Sequence, residues 1–357
     1  MITPRRLTAL FAIALLVVGL ALWAVTAQHR AEQPEAGGSL VLPGLRSHIN
    51  DVSEVRLIKG DGTRATLKKG TSDWIVGERD FPADSGRVRK LLLDVSDLKV
   101  VEQKTSDPAS YPQLGVEDVS SPKAGGTRLE IVTPARTFAL IVGKPSGSQA
   151  SFVRAAGVAQ SVLAEPQVTP DADPRQWLDK SIIDIPEQRV KEVAVQPASG
   201  PKYTVTRASA QQTDFTVPDL PKGRELSAPS VADPVASALA SLTLDDVRKP
   251  GTVTDAPAHA TFRTFNGLSL DLTGHKDGDR RFIAVSASSS AKDTQSEAQQ
   301  LNARFAGWEL EIPSYKYDSL FRPLDELLKK PEPPAHAAAG KKAGKGSSAK
   351  PAAPGSK

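Results

Sequence analysis

The densest run of reactive side chains in the sequence is DWIVGERDFPADSGRVRKLLL, residues 73–93, which sets Asp73, Glu78, Asp80 and Asp84 beside Arg79, Arg87 and Arg89. Acid–base chemistry would require two of these carboxylates to converge on a cleft with shifted proton affinities. A later run, Asp214-Phe-Thr-Val followed by Arg224-Glu-Leu-Ser-Ala-Pro-Ser, keeps the apolar and turn positions, with Phe215 in the place of Trp74, but loses most of the charges. What persists is a strand passing through a turn into a helix. The run therefore reads as a structural joint, and no residue in it is assigned a catalytic role.

The other candidates are weaker. His29, His48, His259, His275 and His336 are scattered over tether, turn and tail positions, with no i, i+4 pair and no HExxH run for zinc. His259 and His275 are expected near each other across a meander, as two surface histidines. Asp171-Ala-Asp173 and Asp277-Gly-Asp279 offer oxygens to a hard cation such as calcium, but neither continues into an EF-hand series. Asp-Gly already has a backbone reason in a hairpin turn, so turns are the expectation. No GxSxG nucleophile elbow occurs. Gly340-Lys-Lys-Ala-Gly-Lys-Gly-Ser has the look of a phosphate loop, yet Ala339 stands where its first glycine belongs and Gly346 where Ser or Thr must follow the lysine. Cysteine is absent, which removes disulfides, thiolate metal sites and a cysteine nucleophile together. No catalytic, cofactor-binding or metal-binding residue is assigned, no cofactor is expected, and the chain reads as a non-enzyme.

The elements behind these residues begin with the ends of the chain. Leu7 to Ala27 is an uncharged apolar run directly behind Arg5 and Arg6, about the length a helix needs to cross a bilayer. The arginines mark a cytoplasmic stub, residues 1–6, so the body is expected in the periplasm. Val25-Thr-Ala27 also suits a signal-peptidase cut, although a cleaved apolar region is usually only about 7 to 15 residues long. Both alternatives export the body. Residues 28–45 form a Pro- and Gly-containing tether, and residues 329–357 a Lys, Ala, Pro and Gly tail that is expected to be disordered.

The formal charge of +4 divides unevenly. The first thirty residues carry three arginines and no acid, the segment Lys329 to Lys357 carries seven lysines and one acid, and the remainder is net −5. A folded domain that binds nucleic acid would be expected to carry a basic patch, so no nucleic-acid partner is expected. The tail is expected to make at most weak contact with anionic envelope polymers. With 357 residues the prior favours two domains, and 5% aromatic residues with one methionine leave aliphatic side chains to do the packing.

Between the ends, short alternating runs dominate. Val52 to Lys59 and Thr63 to Lys68 flank a turn at Gly60-Asp-Gly62, and Asp73 to Val76 is a third strand. Val88, Leu91, Leu92, Val95 and Leu98 share one helical face behind Asp84 as N-cap. Arg128 to Val132, Thr137 to Val142 and Ser151 to Ala155 form a meander, with turns at Thr133-Pro134 and Gly143-Lys-Pro145. The order recurs. Val190 to Val195 pairs with Tyr203 to Arg207; a helix follows through Val235, Leu239 and Leu242, with Asp233-Pro234 at its start; Ala260 to Thr264, Leu268 to Thr273 and Arg281 to Val285 make a second meander that turns at Gly274-His-Lys276. The polar stretch Ala287 to Asn302 is expected to be a mobile loop. The expected fold class is α+β, as two tandem antiparallel-sheet-plus-helix modules, residues 46–185 and 186–328, behind one transmembrane helix.

Trp74 on a strand, the step to Asp84, the Val88, Leu91, Leu92 helix and Leu114-Gly-Val116 before Pro122 together resemble the bacterial domain of unknown function 4340 family. Val116 stands where the family usually has leucine. The resemblance runs from about Val52 to Leu328. It implies a membrane-anchored accessory component of an ABC-type transport system, of the kind linked to gliding motility, and carries over no catalytic residue. The alternative is a binding module for envelope polysaccharide or a lipid-linked substrate.

Overall fold

Alternation of apolar and polar residues carries most of the chain into antiparallel strands. The computed structural model describes residues 38–251 and 255–330. The expected membrane-spanning run, residues 28–37 of the tether, His29, His336 and the tail from residue 331 lie outside them. Among the described residues no helix is long and apolar enough to cross a membrane.

The first half opens with hairpins: β1 (Glu54–Lys59), β2 (Arg64–Lys69), β3 (Trp74–Val76) and β4 (Phe81–Pro82). Val55, Leu57, Ala65, Leu67 and Val76 all face inward, as period-two patterning requires. Helix α1 (Ser85–Ser96) follows, with the Asp84 carboxylate accepting from the Arg87 amide at 3.0 Å and Val88, Leu91, Leu92 and Val95 buried. Then come β5 (Lys99–Gln103), the single turn α2 (Tyr111–Leu114) and the meander β6 (Thr127–Val132), β7 (Thr137–Ser146), β8 (Ala150–Ala155) and β9 (Ser161–Glu165). The nine strands lie in the order β4, β3, β2, β1, β6, β7, β8, β9, β5.

The second half contains β10 (Ser181–Ile183), β11 (Val190–Gln196), β12 (Tyr203–Thr206), α3 (Asp233–Ala236), β13 (Leu242–Thr243) and β14 (Asp246–Arg248). It continues with β15 (Ala258–Thr264), β16 (Leu268–Asp277), β17 (Arg280–Ser289), α4 (Lys292–Phe305), β18 (Glu309–Glu311), α5 (Ser314–Leu320) and α6 (Leu324–Leu327). Its sheet runs β12, β11, β15, β16, β17, β18, β14, while β10 and β13 pair separately. The class is α+β with antiparallel sheets.

Several expectations need correction. Gly143 and Gly274 lie within β7 and β16, not in turns. Each is there for close approach: a Cβ on Gly143 would meet the Leu114 carbonyl, and one on Gly274 would meet the Phe321 and Tyr317 rings. The chain instead reverses at Gly147 and Gly278, both with positive φ. Ala287 to Asn302 is no loop. β17 runs to Ser289, and α4 then lays Thr294, Ala298 and Phe305 against the sheet. Asp214 to Val217 makes only one bridge, Thr206 with Thr216, rather than a strand. Asp233 lies inside the first turn of α3 and accepts from the Phe215 amide at 2.9 Å instead of capping the helix. Leu242 has left the helix for β13.

Candidate functional site

The two sheets meet along a seam of paired charges. Four residues, Gly77 to Asp80, join β3 to β4 in a tight turn in which Asp80 adopts φ 53° and the Asp80 amide donates to Val76 O at 2.8 Å. That turn projects Arg79 toward β14, where Nε and Nη2 reach the two oxygens of buried Asp246 at 2.6 and 2.9 Å. The bidentate geometry is the strong form of this contact, and the Asp246 carboxylate raises the proton affinity of the guanidinium. Beneath it, Phe81 lies 6.4 Å from Phe305 and edge-on to Trp308 at 5.3 Å. The Lys249 ammonium sits 3.3 Å from the Trp308 ring centre.

Further along the seam, Arg248 of β14 holds three partners. It donates to Glu309 at 2.8 Å and Asp277 at 2.6 Å, and lies 3.2 Å from His275 Nε2, with its guanidinium carbon 3.6 Å from the Phe282 ring centre. Glu309 Oε2 also lies 3.6 Å from His275 Nε2. Arg280 donates twice to Glu311, at 2.9 and 2.6 Å. Asp173 receives Arg175 at 2.6 Å, and that hydrogen bond holds its carboxyl below the usual range despite partial burial. The Arg248 hydrogen bond does the same for Asp277.

Each seam carboxylate named here is thus bound to a guanidinium. A general base needs a lone pair free for substrate, and a nucleophile needs a base in reach. Asp173 and Asp246 engage both carboxylate oxygens with arginine, and Asp277, Glu309 and Glu311 engage one oxygen each. The arrangement clamps strands together.

The residues of the 73–93 run are dispersed. Glu78 accepts from the Thr66 amide at 2.9 Å, Asp84 caps α1, Arg79 crosses to Asp246, and Arg87 stacks on Trp177 at 4.9 Å. Asp73 accepts from its neighbour Ser72, and Arg89 edges a groove of about 390 Å³ beside Trp74 and Leu93. His48 faces Asp51 at 3.5 Å, and His259 is exposed beside Thr273 at 3.2 Å. His275 is buried, correcting its expected surface position: its ring stacks on Phe282 at 5.5 Å. Asp171 accepts from the Asp173 amide and Asp173 from the Arg175 amide, both at 2.9 Å, the turn roles expected. Among the described residues no group of three His, Asp or Glu side chains is arranged to hold a metal ion.

Sequence reasoning missed the buried arginines. Arg154 donates to Val116 O at 2.8 Å over the Tyr111 ring, and Arg207 donates to Val190 O at 2.9 Å over Phe215. Strand parity was the available signal for Arg207, which continues the inward row of Tyr203 and Val205. The largest surface depression named here, about 670 Å³, is lined by Arg46, Asp97, Lys99 and Glu165 and holds an Arg46–Asp97 pair at 3.6 Å.

No curated protein and no solved structure matches the chain. The family model described as Domain of unknown function (DUF4340) matches residues 74–262, more than half of the sequence, from Trp74 on β3 into β15. The chain belongs to this domain-of-unknown-function family.

Proposed function

We propose that the protein is a non-enzymatic, single-pass accessory or scaffold protein of the bacterial inner membrane. Its N-terminus faces the cytoplasm, its body faces the periplasm, and it serves an ABC-type transport system of the gliding-motility kind. The observation that carries the non-catalytic reading is the seam, where the acidic side chains that chemistry would use are engaged by arginines. The uncharged run Leu7 to Ala27 behind Arg5 and Arg6 supports the anchor.

The body is two tandem modules, residues 46–185 and 186–328. Supporting this, seven strands follow one order in both sheets: β2, β1, β6, β7, β8, β9, β5 in the first and β12, β11, β15, β16, β17, β18, β14 in the second. Anchoring confines both modules near a membrane partner and raises their effective concentration there.

Protease added to intact spheroplasts tests the placement. Residues 46–328 are digested from outside while a tag on residues 1–6 survives until the membrane is opened. A body protected in intact spheroplasts overturns it.

A further inference from the structure

The two sheets share a local strand lattice, and one edge is completed in the first sheet but left open in the second. Arg56 lies opposite Thr66 on one side and Glu130 on the other; at the matching position Ala194 lies opposite Thr204 and Thr261. In the first sheet, Arg56 pairs with Glu54 and Glu130, and Arg128 with Glu130, so ion pairs cover this face. In the second, Ala194, Thr204 and Thr261 leave a trough of about 430 Å³, rimmed by Lys202, His259 and Asp219.

The backbone differs in the same way. Thr66 faces outward from the edge of β2: its carbonyl accepts from the Gly77 amide at 2.7 Å, and its amide donates to the Glu78 carboxylate at 2.9 Å. On β12, Thr206 exchanges both backbone bonds with Thr216, while the Arg207 amide points inward to Lys191 O. Thr204, two residues from Thr206, therefore also faces outward. Its amide and carbonyl have no partner among the described residues, because the chain leaves the edge after the single Thr206–Thr216 bridge.

We propose that the β12 edge at Thr204 is a docking site for an extended acidic segment of a partner protein, laid antiparallel along the strand. The first sheet supplies the chemistry of the occupant: a backbone N–H for the Thr204 carbonyl and, one residue on, a carboxylate for the Thr204 amide. The rim carries one charge of each sign, Lys202 and Asp219, so the preference for an acidic segment comes from the first sheet's pairing. Main-chain pairing gives affinity in strand addition, and side chains over the trough give selectivity. The small residues Ala194 and Thr261 admit side chains that the Arg56–Glu130 pair would exclude. The site rests on the accessory reading only in expecting a partner.

The test uses the full chain in detergent and a fluorescently labelled peptide of its own residues 74–80, WIVGERD, with blocked ends. The peptide binds, hydrogen exchange slows at the Thr204 amide, and replacing the glutamate of the peptide by glutamine weakens binding about ten-fold, as loss of a charge-assisted hydrogen bond requires. Ala194→Arg with Thr261→Glu, which rebuilds the first sheet's ion pair, abolishes binding without changing the melting temperature. Thr204→Pro, which removes the outward N–H on an edge strand, does the same independently. Absence of binding at millimolar peptide, equal binding of the glutamine peptide, or protection that leaves the Thr204 amide unchanged overturns the proposal. Self-association of the chain through this edge would also overturn it, in favour of a second copy. Peptide binding without any transporter subunit in the purified complex would leave the edge standing and remove the transporter reading alone.

Discussion

Trp177 is 1% exposed, its indole N–H donates to Asp171 O at 2.7 Å, and Arg87 covers its ring. Trp74, the tryptophan that draws the eye in the sequence, is only half-buried on β3. Truncating a fully buried aromatic removes its transfer energy and leaves a cavity, so Trp177→Ala should cost about 3 to 5 kcal/mol in urea unfolding. Trp74→Ala should cost less, about 1 to 2 kcal/mol, because a smaller part of the ring leaves water. Equal losses for the two would contradict the assigned burial. Arg79→Leu strands the buried Asp246 carboxylate and should cost about 1 to 3 kcal/mol, read by the same unfolding curves. Asp173 adds a pH signature. Its folded pKa is lowered, chiefly by the Arg175 hydrogen bond, so its contribution is present above the ordinary carboxyl pKa and lost as pH falls through the lowered value. The stability gap between the protein and Asp173→Asn should therefore close on acidification below about pH 4, the ordinary aspartate range. A gap independent of pH would show that the pair contributes nothing.

At the scale of elements, α4 separates local pattern from tertiary consequence. Thr294, Ala298, Leu301 and Phe305 fall at i, i+4, i+7 and i+11, a thin stripe in a polar stretch. Packing completes it: Asn302 exchanges two hydrogen bonds with the backbone of Ala287 at 2.8 and 2.7 Å, and Glu297 takes both outer nitrogens of Arg189 at 3.0 and 2.8 Å. Amides across residues 292–305 should exchange slowly, and Ala298→Glu, which buries a charge under the helix, should release them; fast exchange in the unmodified protein would restore the loop reading. The strands were legible because alternation is a local property, as in Val55 and Leu57 or Val193 and Val195. α1 was legible for the same reason, since its cap and apolar face lie within one short stretch. What the sequence concealed depends on distant atoms. The glycines at 143 and 274 are fixed by Leu114, Tyr317 and Phe321, and the expected helix at Val235 is cut short where the Ser241 amide donates to Asp184 at 2.7 Å and Lys316 reaches Ala240 O at 2.6 Å. The seam was illegible for that reason too, because Arg79 and Asp246 are 167 positions apart.

At the scale of the whole molecule, charge and fold are distributed unevenly along the chain. Net charge sits at the chain ends, and the folded middle is mildly acidic. Arg79 and Asp246 join the two sheets, Arg248 and Glu309 tie neighbouring strands of the second, and the β12 edge keeps backbone groups turned outward. The most direct measurement is purification of the full chain from native membranes in mild detergent, followed by identification of what remains bound in fixed proportion. The expected result is a membrane subunit of an ABC-type transporter. Recovery of the chain alone across several detergents, or after crosslinking in intact cells, would contradict it.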